Sequence, residues 1–425
     1  MSKTILSEID NLIIAKVISQ ETANDMKLYY SKNQGTTQNK LFVIFGIFGA
    51  ILSGLGVILI LAHNWDDLSN FTKSIISFLP LLIGQVFCGY TLIQKPNNLT
   101  WREASSVFLF VSIGASISLI AQIYNISGDF DKFLLTWYLL GLPLIYLMHS
   151  STVSLLYLVG ITFYCCQTNY FEYPKLQTNF WYFLLLIGFL PHYYLLLKKQ
   201  TESNFTLFHN WFFAISLLVV LGIFAFDQQN WIWVAYISLL AIYYFIGKND
   251  FFEKQDLKFN SFYIIGKLGT IFMLFQFSFN SFWESIFRHQ TINLYQNIDF
   301  FVALLLSILA LSLFIRKNKN FKMQDFHLVE IVFLINLIFI ICGFSMTYLA
   351  NILVLLIGLT EINRGNKLNN LGILNYGLAI ITLLIICRFF DTDFSFAMRG
   401  LIFMIVGFGF FLTNYLMLKK RQENG

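Results

Sequence analysis

Charge is what this chain has least of. Only 12% of its 425 residues are charged, about half the roughly 25% of an ordinary soluble domain. A water-soluble fold this apolar would have no polar coat, so lipid is the expected solvent. Cysteine is scarce too. Cys88, Cys165, Cys166, Cys342 and Cys387 all lie in or beside apolar runs, with no C-x-x-C and no Cys/His cluster. That excludes a disulfide framework and a zinc site. The six histidines make no i,i+4 pair and no H-E-x-x-H, so no metal is expected. There is no Walker A and no G-x-G-x-x-G. The reading therefore includes no cofactor and no nucleic acid, and energy coupling would have to come from ions or a partner. The first 34 residues hold no apolar run of signal-peptide length, so the first spanning helix is expected to act as its own insertion signal. No chain of carboxylates runs through the apolar segments, which counts against primary ion pumping.

What is present is length and apolarity. Hydrophobic residues make up 57% of the chain and mean hydropathy is +0.66. Crossing a bilayer takes about 20 apolar residues. The chain divides into about fourteen such segments: 40–63, 71–94, 101–124, 130–148, 150–166, 180–198, 207–226, 231–247, 260–280, 298–315, 326–345, 346–362, 370–389 and 395–418. Segments 150–166 and 346–362 are short, and either could be half of a re-entrant hairpin. The gaps between segments alternate basic and acidic. Of 28 Lys and Arg, 22 fall on the side of the N-terminus, together with 13 of the 23 acids. This is the positive-inside pattern, and it places both termini in the cytoplasm. The expected fold is an all-α polytopic integral membrane helix bundle over residues 37–420, with a short cytoplasmic amphipathic arm at 1–36. Within the arm, Ile5, Leu6, Ile9, Leu12 and Ile13 recur at helical spacing, and Ser19 with Glu21 is expected to cap a second helix.

Three outward turns carry paired acids: Asp66 and Asp67, Asp129 and Asp131, and Asp391 and Asp393. They read either as loops depleted of Lys and Arg, as a cation-attracting vestibule, or as the acids of an outer-face transferase acting on a lipid-linked substrate. Arg388 and Arg399 flank the last turn against the charge bias, and Arg388 is spaced to pair with Asp391. Segment 101–124 is polar on two faces, which suits a central helix. Ser112 and Ser116 line one face and Gln122 lies near its outer end. These residues make up the candidate substrate site: Ser112, Ser116, Gln122, Asp66, Asp67, Asp129, Arg388, Asp391, Asp393 and Arg399. Gly46, Gly49, Ala50, Ser53, Gly54 and Gly56 fall within one arc of about 160°, reading as a close-packing face. Glu330, Glu361, Lys267, Arg102 and Glu103 lie near the cytoplasmic ends of segments, where snorkelling accounts for them.

Several stretches carry a family signature. They are LSEIDNLIIAKVISQETA in the arm, LILAHNW closing the first helix, W-R-E-A and GASISLIAQIYNISGD bounding the third, and NILVLLIGLTEINRGNKLNNLGILNYG near the C-terminus. Together they resemble the bacterial predicted-membrane-protein family known as domain of unknown function 2157, over roughly residues 5–150 and 345–418. The resemblance implies a bacterial inner-membrane protein and supplies no catalytic residues. Function is left between a transporter- or flippase-like protein for a small or amphipathic solute, a non-catalytic scaffold or accessory subunit of an envelope system, and an outer-face transferase. The partners expected are membrane lipid and, through the arm, an envelope protein. Reporter fusions ending after Lys95 and Lys254 are expected to report cytoplasm and one after Asp131 the outside; reversal at any of the three would break the alternation.

Overall fold

A computed structural model describes residues 17–32, 65–171, 179–225, 231–253, 255–288, 298–320 and 327–391, with isolated positions in 9–15 and 397–415. It is 86% helix, with no strand among the described residues. The chain divides into two compact units, Met1–Phe78 and Leu79–Gly425. In the first unit, α1 (Gln20–Lys32) starts where Ser19 Oγ accepts the Thr22 amide at 3.2 Å. This is the cap read from the sequence. Ser69 caps the start of α2 (Asn70–Gln94) in the same way. The small-residue face at 46–56 lies outside the described residues.

In the second unit the helices follow one another closely: α3 (Leu99–Ile123), α4 (Phe130–Leu147), α5 (Ser151–Tyr170), α6 (Trp181–Lys199), α7 (Asn204–Leu221), α8 (Trp231–Gly247), α9 (Ser261–Phe277), α10 (Asn280–Arg288), α11 (Ile298–Lys317), α12 (Val332–Cys342), α13 (Thr347–Lys367) and α14 (Leu371–Asp391). Eight described helices are long and apolar enough to cross a membrane, among them Ser151–Tyr170. Segment 150–166 is therefore a full-length helix rather than half a hairpin. Trp231–Gly247, Ser261–Phe277 and Leu328–Cys342 are apolar but shorter. The described helices thus support a many-helix membrane bundle with eight candidate spans among them, while the expected segment 40–63 and most of 395–418 lie outside the described residues.

Helix starts follow a simple local chemistry. The first amide groups of a helix lack intrahelical acceptors, and apolar surroundings offer them no water. Asn98, Ser150, Ser203 and Asn260 each accept the amide three residues on, at 3.0–3.2 Å, opening α3, α5, α7 and α9.

Two hydrophobic cores result. One joins α3 to α7 around Tyr138, Tyr157, Tyr182 and Phe189. The other joins α8 to α14 around Tyr243, Tyr244, Phe277 and Phe333. Glycine sets how closely the helices approach. A Cβ on Gly114 would stand 2.5 Å from the Trp137 ring, and one on Gly141 would stand 2.4 Å from Phe110. The α3–α4 seam is thus a reciprocal pair of rings in glycine notches, fastened where Trp137 Nε1 donates to the Phe110 carbonyl at 2.8 Å. At α13–α14 the contact is backbone on backbone: a Cβ on Gly365 would lie 2.4 Å from the Leu374 nitrogen. Replacing Gly365 by Ala is expected to cost about 1–3 kcal/mol by overpacking, read as a lower melting midpoint of the detergent-purified protein. Gly89→Ala, which meets nothing within 4 Å, is the control and should melt unchanged.

Candidate functional site: a buried ionic cluster at one end of the bundle

Ionisable side chains from five elements gather where α8 and α11 end, α9 and α14 begin, and α13 ends. Lys267 of α9 donates to Glu361 of α13 at 2.8 Å, with side-chain exposures of 13% and 6%. Arg364, one turn on, stands 4.0 Å from the other Glu361 oxygen. Lys317, at the end of α11, pairs with Glu330 in the turn Leu328–Ile331 that leads into α12. Glu330 is 1% exposed, and its Oε2 has no hydrogen-bond partner among the described residues. Lys248, just past α8, pairs with Glu253 at 3.0 Å.

Tyrosine rings hold the cations. Lys267 lies 4.6 Å from the Tyr376 ring centroid and 5.9 Å from that of Tyr263, while Lys248 lies 5.4 Å from Tyr263. Lys317 lies 5.5 Å from Tyr244. Such contacts give each cation an electrostatic partner without adding a second negative charge.

The cluster overturns the snorkelling reading of Glu330, Glu361 and Lys267. Snorkelling keeps a charged head in water, whereas both glutamates are buried and held by cations from other elements. The sequence carries little trace of this, because Lys267 and Glu361 are 94 positions apart. The field at the cluster is positive. His327, at the mouth of the Leu328–Ile331 turn, is pushed down to about 4 by burial and then by the charges of Arg364, Lys248 and Lys267, with Glu361 opposing. Its imidazole is therefore neutral at neutral pH.

A second polar cluster lies in the α3–α7 half. Glu103 of α3 accepts hydrogen bonds from the Ser151 and Thr152 amides at 3.0 and 2.9 Å and from the Ser150 hydroxyl. It therefore places a carboxylate on the positive end of α5. Nearby, His209 Nδ1 donates to the Phe205 carbonyl at 2.7 Å, so its Nε2 accepts from Ser154 Oγ at 3.1 Å. His192 lies 6.4 Å from His209, ring to ring, and its Nε2 is buried without a partner among the described residues. Tyr193 donates to Asn210 at 2.7 Å, and Asn210 to the Phe259 carbonyl at 3.0 Å. Histidines scattered in sequence are thus neighbours in space, and an i,i+4 search could not have found them.

The residues picked out by sequence fall elsewhere. Ser112 and Ser116 share a buried face of α3, while Gln122 is exposed near the end of that helix. Asp66 and Asp67 are exposed in a turn of the first unit. Asp129 precedes α4 without capping it through its side chain, and pairs with Lys132 at 2.8 Å on the surface. Arg388 of α14 donates to Ser278 Oγ at 3.2 Å and lies 4.6 Å from the Phe279 ring centroid. The Asp391 side chain, Asp393 and Arg399 lie outside the described residues. Among the described residues no group of three or more His, Cys, Asp or Glu could hold a metal.

Apolar helices of spanning length around buried ion pairs define a helical membrane protein. Residues 10–154, about a third of the chain, match a family described as "Predicted membrane protein (DUF2157)". The resemblance carried by the N-terminal motifs holds over that span, and the C-terminal motifs lie beyond it. No curated protein and no solved structure matches the chain.

Removing one member of a buried ion pair strands the other, at about 3–5 kcal/mol, whereas replacing both with apolar residues is near neutral. Glu361→Gln should therefore lower the melting midpoint markedly, and Lys267→Met with Glu361→Leu should recover most of the loss. Equal midpoints for wild type and Glu361→Gln would mean that the pair is solvated.

Proposed function

We propose that the chain is a transporter- or flippase-like membrane protein for a small or amphipathic solute, with α9, α13 and α14 as its gating element. The observation that carries this reading is the Lys267–Glu361 pair between α9 and α13. A buried ion pair adds little stability over a packed apolar pair, and ionisable groups among membrane helices tend to serve function. Glu361 also has two cations within reach, Lys267 and Arg364, so it can change partner as helices shift. The same three helices are joined at their opposite end. There Asn351 of α13 donates to the Ser278 carbonyl at 3.2 Å and Arg388 of α14 to the Ser278 hydroxyl. A polar latch at each end suits an element that opens first at one end, then at the other. In the orientation given by the charge alternation, the Lys267–Glu361 end faces the cytoplasm of a bacterial inner membrane.

A non-catalytic scaffold or accessory subunit, with an envelope partner on the arm, is the second reading. It is favoured by the backbone contact between Gly365 and Leu374, which resists sliding. Spin labels at Leu257→Cys and Lys367→Cys, both exposed, distinguish the two in a background free of native cysteine. Gating predicts two distance populations in liposomes, with Glu361→Gln favouring the longer. One narrow distance, the same in both proteins, would sink the gate and leave the scaffold.

A further inference from the structure

We infer that the ionic cluster at the start of α9 and the end of α13 is a binding site for a phosphate-bearing anion, with Lys248, Lys267 and Arg364 as its cationic wall and His327 as a hydrogen-bonding edge. The inference names a ligand class for the site on which the proposed function rests, but it requires no helix movement.

Three observations converge. First, among the described ion pairs the cluster holds more cations than carboxylates: Lys248, Lys267, Lys317 and Arg364 against Glu253, Glu330 and Glu361. Arg364 is the surplus charge, since Glu361 is already held by Lys267 at 2.8 Å and lies 4.0 Å from Arg364, whose side chain is 39% exposed. A guanidinium only half engaged presents a donor fork that matches phosphate oxygens.

Second, two of the cations share one aromatic ring. Lys248 and Lys267 lie 5.4 and 5.9 Å from the one Tyr263 ring centroid, so their ammonium groups are no further apart than the sum of those distances. Lys248, Lys267 and Arg364 all act on His327, which burial and their charge keep unprotonated. A neutral imidazole can donate one N–H without adding a fifth cation.

Third, the cluster sits at the ends of apolar helices, which in the membrane orientation proposed above is the depth of the lipid headgroups. Basic pockets between membrane helices hold anionic headgroups, and each nearby Lys or Arg contributes about 1 kcal/mol. The phosphate could belong to an anionic lipid or be free in solution, and the chemistry of recognition is the same.

Native mass spectrometry of the full-length protein in a non-ionic detergent tests this, with added phosphatidylglycerol or phosphatidylcholine and with inorganic phosphate as competitor. Phosphatidylglycerol is expected to be retained over phosphatidylcholine. Arg364→Gln and Lys248→Gln should each weaken retention about fivefold, and Lys198→Gln, at an exposed lysine outside the cluster, should leave it unchanged. If inorganic phosphate binds on its own and displaces the lipid, free phosphate is the source; if it does neither, the headgroup is. Equal retention of the two lipids without phosphate binding would overturn the inference, as would a phosphatidylglycerol preference indifferent to Arg364→Gln and Lys248→Gln. The outcome is separable from the gate. A protein with one label distance that still retains phosphatidylglycerol loses the gate and keeps the site, and one that moves but takes up neither lipid nor phosphate does the reverse.

Discussion

A carboxylate buried among apolar helices needs a cation or hydrogen-bond donors beside it, and one end of the α8–α14 half is organised around cations that meet that need. Glu361 is held by Lys267 and approached by Arg364, and Glu330 is held by Lys317. Lys267 in turn lies over the rings of Tyr263 and Tyr376, and Lys317 over that of Tyr244. The pairs fix which helix ends meet. Lys267 and Glu361 bring the start of α9 to the end of α13, and Lys317 and Glu330 bring the end of α11 to the turn before α12.

The charged residues could not come this close without room between the helices. Gly247 and Gly266 let α8 and α9 approach until a Cβ on either would lie within 2.5 Å of the facing backbone, and between α13 and α14 a Cβ on Gly365 would lie 2.4 Å and one on Gly377 2.7 Å from it. Because lipid tails are as apolar as leucine, close van der Waals contact and interhelical hydrogen bonds hold such helices together. The Ser238–Ser307 hydrogen bond at 2.9 Å between α8 and α11 and the Tyr182–Ser216 bond at 2.6 Å between α6 and α7 are of this kind. The aromatic residues fill the spaces that remain, as Phe110 and Trp137 do in the notches at Gly141 and Gly114.

Much of the local structure was legible residue by residue. Ser19 was expected to cap the helix now seen at Gln20–Lys32, and its hydroxyl accepts the Thr22 amide. Segment 298–315 lies within α11, and 231–247 coincides with α8. The candidate site was far less legible. Lys267, Glu330 and Glu361 stand near segment ends, where the sequence places each at the interface on its own, because hydropathy gives the depth of a residue and not its neighbour. Arg388 drew attention for breaking the charge bias. Its spacing points to Asp391, whose side chain lies outside the described residues, and the contacts described for it are with Ser278 and Phe279 at the far end of α9.

Class and local form were legible in the chain alone: a helical membrane chain, the approximate place of its apolar segments, and the Ser19 cap. Those follow from short-range physics, since apolar length and the needs of the first amides are local properties. Only the tertiary structure decided which charges share a site. Lys267 and Glu361 meet because helices distant in sequence pack side by side, and an ion pair depends on distance in space, which a one-dimensional pattern of charge does not contain.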